Sequence, residues 1–471
     1  MIHWKNVKIK IRNILLLDHL DIELNKGESI GIIGNNGSGK TILAKAIAGL
    51  IPITGEKCTA TTEINKVFIS FQSDVKLKHG AKGYRQQRWN FPDPEFVPVV
   101  AEELEKVKDQ HELQKLIRKF DFQDHLNRFV ISLSNGEQRK LELIKALAQK
   151  PDLLIIDNAF NGLDTDSRIL LNAMFNQMIA EGHSLVLTGV KPEIFPENMT
   201  QFIELKNYTG KVISRSNLQP AKNFSLPAEL ILPQWKNSDW KEIIKLENVG
   251  LNYGEKTILK NVSWNVNAGE QWVLSGANGS GKTSLLNMIF GDNPKAYLCN
   301  IYLFGKKKGS GESIWEVKDR IGFVSPEMHQ YLPGKQKVSD VICSGFFDSE
   351  GLYRKPTSYH RNLAAKWLKQ ILPEHDHLTA FKTLSSSAQR MVLIIRSLVK
   401  NPPLLILDEP FQGLDDSNIL LMKNLLDQIA RNTNCAMIFV SHFRDEIPDT
   451  FDRELTLSNG AVLYCGKRTF N

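Results

Sequence analysis

Short apolar runs recur along this chain and predict strands, and the fully apolar run Leu153 to Ile156 predicts one buried on both faces. Ser29-Ile30-Gly31-Ile32-Ile33, Gln271-Trp272-Val273-Leu274-Ser275 and the run from Met437 to Val440 are of this kind. Leu153-Leu154-Ile155-Ile156 ends in Asp157, which sets an acid at the carboxyl end of a strand in a mostly parallel sheet. Segments of helical period alternate with these runs. Ile42 to Leu50 and Ser284 to Phe290 each follow a glycine-rich stretch. Leu141, Ile144, Leu147 and Ala148 share one face of a predicted helix, as do Met391, Ile394, Ile395 and Leu398 of another. Pro151 and Pro402 stop these two helices.

The pattern occurs twice. Asn6-Val7 matches Asn248-Val249, and Lys26-Gly27-Glu28 matches Ala268-Gly269-Glu270. Leu133-Ser134 matches Leu384-Ser385, and Gly162-Leu163-Asp164 matches Gly413-Leu414-Asp415. The run ending in Asp157 matches Leu404-Leu405-Ile406-Leu407-Asp408. A period this long marks duplicated domains rather than a solenoid. The expected organisation is a first domain over 1–207, a polar connector with Pro220, Pro227 and Pro233 over 208–241, and a second domain over 242–471. Trp235 and Trp240 in the connector are expected to pack on a neighbouring surface.

Each half carries one glycine-rich loop between predicted strand and predicted helix. The first is Gly34-Asn35-Asn36-Gly37-Ser38-Gly39-Lys40-Thr41, the second Gly276-Ala277-Asn278-Gly279-Ser280-Gly281-Lys282-Thr283. Both fit G-x-x-x-x-G-K-[ST] in the strand-loop-helix context that a phosphate-binding P-loop requires. The glycines let backbone N–H groups turn toward phosphate oxygens at a helix N-terminus, whose dipole favours anions. Lys40 and Lys282 reach the terminal phosphates in such a loop, and Thr41 and Thr283 offer hydroxyls to Mg²⁺. ATP and Mg²⁺ are therefore the expected ligands.

Bulk properties add exclusions. A net charge of +7 over 471 residues argues for no polyanionic partner. No apolar run approaches the ~18 residues of a membrane span. Met1-Ile2-His3-Trp4-Lys5-Asn6 does not begin a signal peptide, and five scattered cysteines form no metal spacing. The expected location is the cytoplasm, at most peripheral on the inner face of the cell membrane.

In this order the motifs resemble an ATP-binding cassette (ABC) ATPase, once in each half and over nearly the whole chain. The resemblance implies an α/β fold: two P-loop NTPase domains, each with a mostly parallel sheet core, an antiparallel β part and a helical subdomain. It implies ATP hydrolysis. It also implies that two cassettes clasp head to tail, each nucleotide lying between one P-loop and the signature of the other cassette.

That arrangement makes the halves unequal. In the second half Asp408 would hold Mg²⁺ through water, Glu409 would deprotonate the attacking water, and His442 would contact the γ-phosphate. In the first half Asp157 is followed by Asn158, and the histidine position is read at Gly189. An amide has the shape of a carboxylate but accepts no proton. Loss of a general base lowers a rate by about 10²–10⁴. The signatures show the opposite bias: Ser134-Asn135-Gly136 is close to the family motif, while in Ser385-Ser386-Ser387 a serine replaces the glycine expected to let the backbone approach the γ-phosphate. Paired head to tail, the defects gather in one composite site and leave the other nearly complete. The two halves are therefore expected to clasp within one chain.

Other positions fit less evenly. Gln72 suits a Q-loop, whereas the second half has Glu327 at that point, with Gln330 out of register. Tyr253 is placed to stack on adenine, and its counterpart lies near Ile11. The stretches Gly309–Trp315, Ile321–Ser325 and Ser344–Ser349 are similar to the ModF-type subgroup, tandem bacterial ATP-binding proteins named for molybdate transport, and to photorepair-type ABC proteins. The subgroup implies a separate transmembrane permease as partner; the residues themselves do not point to molybdate. Lys76 to Phe91, basic with interleaved Tyr84, Trp89 and Phe91, reads as a solvated loop, a docking site for a membrane subunit, or a nucleic-acid surface. No nucleic-acid partner is expected on the main reading. A soluble regulatory or ribosome-associated ABC protein is the alternative.

Overall fold

In the computed structural model the chain separates into two compact units, residues 1–222 and 223–471. The structure describes residues 2–11, 14–34, 37–58, 64–70, 98–130, 133, 135–160, 165–189, 192–206, 208–217, 239–254, 256–277, 279–326, 328, 332, 336–349, 351–414, 416–441 and 443–468. Gln72, Lys76–Phe91, Trp235, Glu327 and Gln330 lie outside them.

Unit 1 opens with an antiparallel hairpin of β1 (Ile2–Ile11) and β2 (Ile14–Leu24). The register shifts between Trp4 and Val7, where Asn6 takes a left-handed backbone (φ 50) and donates its N–H to Asp21 at 2.7 Å. Asparagine tolerates that conformation, which supplies the extra residue of a bulge. The next turn places Gly27 at φ 84, and Glu28 accepts the Asn25 N–H at 2.7 Å. The remaining elements are β3 (Ile30–Ile33), α1 (Lys40–Ile47), β4 (Ile53–Cys58), β5 (Lys66–Ser70), α2 (Val100–Glu105), α3 (Gln110–Lys119), α4 (Asn135–Leu147), β6 (Leu153–Asp157), α5 (Thr165–Ala180), β7 (Leu185–Gly189), β8 (Gln201–Lys206) and β9 (Thr209–Ser214). Among the described residues, nine strands form one sheet, ordered β4-β1-β2-β9-β8-β3-β7-β6-β5. From β8 to β5 the strands run parallel.

The apolar runs are buried on both faces, as their composition requires. Leu153 and Ile155 pack toward α1 with Leu43 and Ile47. Leu154 and Ile156 pack toward α4 and α5 with Ile144 and Phe175. Each such side chain contributes roughly 1.5–3 kcal/mol when fully buried.

Unit 2 repeats the plan with two sheets. Its elements are β10 (Glu242–Tyr253), β11 (Lys256–Asn267), β12 (Gln271–Ser275), α6 (Lys282–Phe290), β13 (Asn300–Leu303), β14 (Lys306–Lys307), α7 (Ile314–Asp319), β15 (Ile321–Val324), α8 (Val338–Ser344), α9 (Ser358–Ile371), α10 (Ser386–Leu398), β16 (Leu404–Asp408), α11 (Asp416–Asn432), β17 (Ala436–Val440), β18 (Arg453–Ser458) and β19 (Ala461–Lys467). One sheet is β11-β10-β13-β14, the other β15-β16-β17-β12-β18-β19. Asn248 (φ 49) repeats the bulge of Asn6, with its N–H on the Ser263 hydroxyl at 3.0 Å. Trp240 stacks at a tilt on Phe304, 5.9 Å between centroids, beneath the Arg320 guanidinium.

Candidate functional site

The described residues of the two P-loops lie between β3 and α1 and between β12 and α6. The helices begin at Lys40 and Lys282, two residues before the apolar segments, because Gly39 (φ 99) and Gly281 (φ 103) end each loop in a left-handed turn. A Cβ on Gly34 would lie 2.7 Å from the Leu205 carbonyl oxygen, and one on Gly276 would lie 2.2 Å from that of Leu457. Only glycine fits at that first loop position. Gly37 and Gly279 are also left-handed, at φ 84 and 80. Lys40 curls back to donate to the Gly34 carbonyl at 2.6 Å, and Lys282 donates to Gly276 at 2.6 Å and Ala277 at 3.0 Å. These bonds hold each ammonium over its own loop. The buried hydroxyls of Ser38 and Ser280 have no hydrogen-bond partner among the described residues. A buried hydroxyl without a partner is costly unless a ligand meets it, so both loops fit a phosphate-bearing ligand. Asn35, Asn36 and Asn278 lie outside the described residues.

The two aspartates meet the threonines at the helix starts. Thr41 Oγ1 donates to Asp157 Oδ2 at 2.8 Å, and Thr283 Oγ1 lies 3.5 Å from Asp408 Oδ2. Both aspartates are buried. A hydroxyl beside a carboxylate at the phosphate end of a helix is the hard-oxygen donor set that suits Mg²⁺, so Thr41 with Asp157, and Thr283 with Asp408, fit that ion.

Beyond the aspartates the units diverge. The residue after each is left-handed, Asn158 at φ 55 and Glu409 at φ 45, a conformation that asparagine accepts more readily than glutamate. The Glu409 N–H donates to the Val440 carbonyl at 3.0 Å. The Asn158 N–H instead donates to the Thr188 side chain at 2.8 Å, and the Thr188 hydroxyl donates to Asp157 Oδ1 at 2.6 Å. The Asn158 amide adds a long contact to Asp157 Oδ2 at 3.4 Å.

Strand register corrects one sequence reading. Ile30 pairs with Val186, and its counterpart Trp272 pairs with Ile438. Thr188 therefore matches Val440, Gly189 matches Ser441, and the counterpart of His442 is Val190 rather than Gly189. Sequence alone could not set this register, because the two strands differ in every residue. Val190 and His442 lie outside the described residues.

The signatures start α4 and α10. Ser134 lies outside the described residues, and of Asn135 only the backbone is described. Gly136 packs so closely on α5 that a Cβ would meet Ser167 Oγ at 2.8 Å. Its counterpart Ser387 replaces the glycine expected to let the backbone approach the γ-phosphate. It is 3% exposed, with its hydroxyl turned inward to accept from Asn418 of α11 at 3.2 Å. Ser385 caps α10 by accepting the Ala388 N–H at 3.2 Å.

Sequence reading missed two arginines, although both follow a signature glutamine at the same offset. Arg390 donates to the carbonyls of Ser325 at 2.8 Å and Pro326 at 3.4 Å. Arg139 donates to the carbonyls of Asn158, at 3.1 Å, and Ala159. Burial lowers both guanidinium pKa values, Arg390 to about 10 against the attraction of Glu409 and Asp408, and Arg139 to about 9 with added repulsion from Arg168. Both remain charged at neutral pH. Thr188 was missed too; one hydroxyl in an apolar run carries no signal.

Tyr253 ends β10, half-buried against the unit 2 core. Asn293 donates to its hydroxyl at 2.8 Å, and the Lys295 ammonium lies 4.6 Å from the ring centroid. Burial raises its phenol pKa. The hairpin register puts Ile11 at the same place in unit 1.

The fold and paired P-loops define a tandem P-loop ATPase. The ABC transporter family matches residues 17–161 and 259–412, and the chain belongs to it as a protein that binds and hydrolyses ATP. Among individual relatives, it is 33% identical to the ABC transporter ATP-binding protein ModF of Escherichia coli over 94% of each chain. It is 29% identical to an uncharacterized ABC transporter ATP-binding protein of Schizosaccharomyces pombe, over 97% of this chain and 99% of that one. A solved structure of ribosome-bound archaeal Pelota and ABCE1 matches 98% of this chain and 78% of its own at a TM-score of 0.63 and 17% identity, a likeness of fold alone. Among the described residues no helix is long and apolar enough to cross a membrane.

Proposed function

We propose that this chain is the energising ATPase of an ABC transporter, with one competent and one degenerate composite site. The competent site combines the P-loop of unit 2, Asp408, Glu409 and His442 with Ser134, Asn135 and Gly136 of unit 1. The degenerate site combines the P-loop of unit 1, Asp157 and Asn158 with Ser385, Ser386 and Ser387 of unit 2. The observation that carries this reading is the contrast after the aspartates: a carboxylate at Glu409, and an amide at Asn158 beside a hydroxyl-capped Asp157.

At the competent site Glu409 accepts the proton of the water that attacks the γ-phosphorus, and Lys282 and His442 offset the charge that develops on its oxygens. Arg390 fixes the chain at Ser325 and Pro326 just before Glu327. Thr283 and Asp408 would hold Mg²⁺, which would supply charge neutralisation to the phosphates. Tyr253 stacks on the base. At the other site the same nucleotide is held by the P-loop of unit 1 but finds no proton acceptor.

The transport assignment draws on the likeness to relatives named as ABC transporter ATP-binding proteins. It places the protein in the cytoplasm against a separate permease. The deciding experiment is steady-state ATPase activity of the full chain beside Glu409→Gln, with bound nucleotide counted in both. Activity lost in the variant while two nucleotides stay bound supports the reading, and equal activity overturns it. Affinity capture from membrane and soluble fractions tests the partner: a polytopic membrane protein supports transport, and ribosomal RNA overturns it.

A further inference from the structure

In each unit one helix precedes the signature helix and packs against it, α3 before α4 and α9 before α10. Their outer faces differ in charge. α9 buries Leu363, Ala364, Trp367, Leu368 and Ile371, and turns Lys366 and Lys369 to solvent on the opposite face. The segment leading into it exposes Tyr353, Arg354 and Lys355, and its first turn exposes Tyr359; the two rings are 79% and 65% exposed. Residues 351–371 contain no acid. Arg354, Lys355, Lys366 and Lys369 make no ion pair among the described residues, while Arg361 pairs with Asp340 at 3.4 Å. The next acids along the chain, Glu374 and Asp376, lie past the helix end beside His375 and His377. On α3 the cations are matched: Glu112 meets Lys115 at 3.9 Å, and Glu181 meets Lys119 at 2.7 Å.

The α9 face is held in place. Thr357 accepts the His360 N–H at 3.3 Å, and the His360 ring stacks on Phe346 with centroids 4.3 Å apart, which fixes the start of the helix. From Ser358 to Lys369 the helix runs about 17 Å. Cations without acids, flanked by exposed tyrosines, complement an anionic surface. A single nucleic-acid strand is held in a basic groove, whereas the outer face of a helix is convex and rests on a plane. Clustered Lys and Arg are drawn to anionic lipid headgroups, and tyrosine rings settle at headgroup level. We propose that the outer face of α9, with the segment leading into it, docks on the anionic lipid headgroups of a membrane. The inference goes beyond the transport reading, because this contact needs no partner protein.

The test is flotation of the full chain with protein-free vesicles, made of phosphatidylcholine alone or of phosphatidylcholine and phosphatidylglycerol in equal parts. Wild type should bind only the anionic vesicles at low salt, and about 1 M salt, where the Debye length falls to about 3 Å, should release it. Each cation at such a surface is worth about fivefold in partitioning, so Lys366→Gln with Lys369→Gln should lower binding by about 25-fold. Lys366→Arg with Lys369→Arg should bind as wild type does. Lys115→Gln with Arg118→Gln removes the same charge from α3 and should lower binding by less than about twofold, because it lies off the docking face. Equal binding to both kinds of vesicle, or equal losses from the α3 and α9 variants, overturns the proposal. Binding of a uridine homopolymer RNA that the α9 variant loses, with no binding to vesicles, assigns the face to nucleic acid and overturns it too. A permease captured by a chain that binds no vesicles supports the transport reading and overturns this one alone. The hydrolysis reading fails separately, through the lipid-free Glu409→Gln activity assay.

Discussion

The ends of β6 and β16 are the most instructive comparison in this molecule. Both strands are buried along their whole length, and both deliver an aspartate to a P-loop threonine. Both are followed by a residue in the left-handed region. The scaffold is the same, and what differs is the protonation chemistry it presents. Unit 2 spends a strained backbone position on a glutamate, which belongs to the residue types less comfortable there. Unit 1 has asparagine there, and hydrogen bonds join Thr188, Asn158 and Asp157. The unit 1 strand end thus carries hydrogen bonds through the Thr188 hydroxyl that Val440, which has none, does not repeat, and the left-handed position is one where strain is expected at functional sites.

The largest expected effect breaks the comparison most directly. Glu409→Gln should lower turnover by about 10²–10⁴, while Asn158→Ala changes it by less than about threefold. Comparable losses in steady-state ATPase assays would show that the units contribute equally. Next come the P-loop lysines. Lys282→Ala should lower kcat by about 10²-fold and Lys40→Ala by less than about tenfold, judged against the usual worth of one charge-stabilising donor. Equal losses would mean two hydrolytic sites.

The signature helices offer a smaller, structural contrast. Gly136→Ser puts a Cβ 2.8 Å from Ser167 Oγ and should destabilise unit 1 by about 1–3 kcal/mol through overpacking. Pairing it with Ser167→Asn, which copies Asn418, should change that cost in a double-mutant cycle by about 0.5–3 kcal/mol. Additivity in denaturant midpoints would show that the two helix contacts are unrelated. Smallest of all, Ser387→Gly should lose about 1–2 kcal/mol, the sum of one hydrogen bond and the helix penalty of glycine. Little change in turnover is expected from it, because the Ser387 hydroxyl faces Asn418. A marked gain in turnover would show that the loss of glycine at this position limits hydrolysis, as the sequence reading expects.

Much of the fold was legible because repeated residues had repeated backbone tasks. Asn6 and Asn248 recur because each occupies a bulge that needs positive φ. Gly27-Glu28 and Gly269-Glu270 recur because a left-handed glycine and a carboxylate cap close the same turn. The P-loops, the buried strands and the acid at each strand end followed from equally local rules. Thr188 was hidden for the opposite reason. Its partners are residues 157 and 158, distant in the chain and adjacent only across paired strands. Arg139 and Arg390 occupy one motif position yet bind different carbonyls, so their sequence context could not separate their roles.

By itself the sequence determined that this protein has two α/β units with P-loops and that a glutamate, Glu409, follows the strand-end aspartate in one of them, where the other has Asn158. Those properties depend on side-chain type, short spacing and apolar periodicity, all written along the chain. Tertiary structure alone decided which way Ser387 points, where the counterpart of His442 falls, and which donors hold Asp157. These depend on strand register and helix packing, where a shift of one residue turns a side chain to the opposite face.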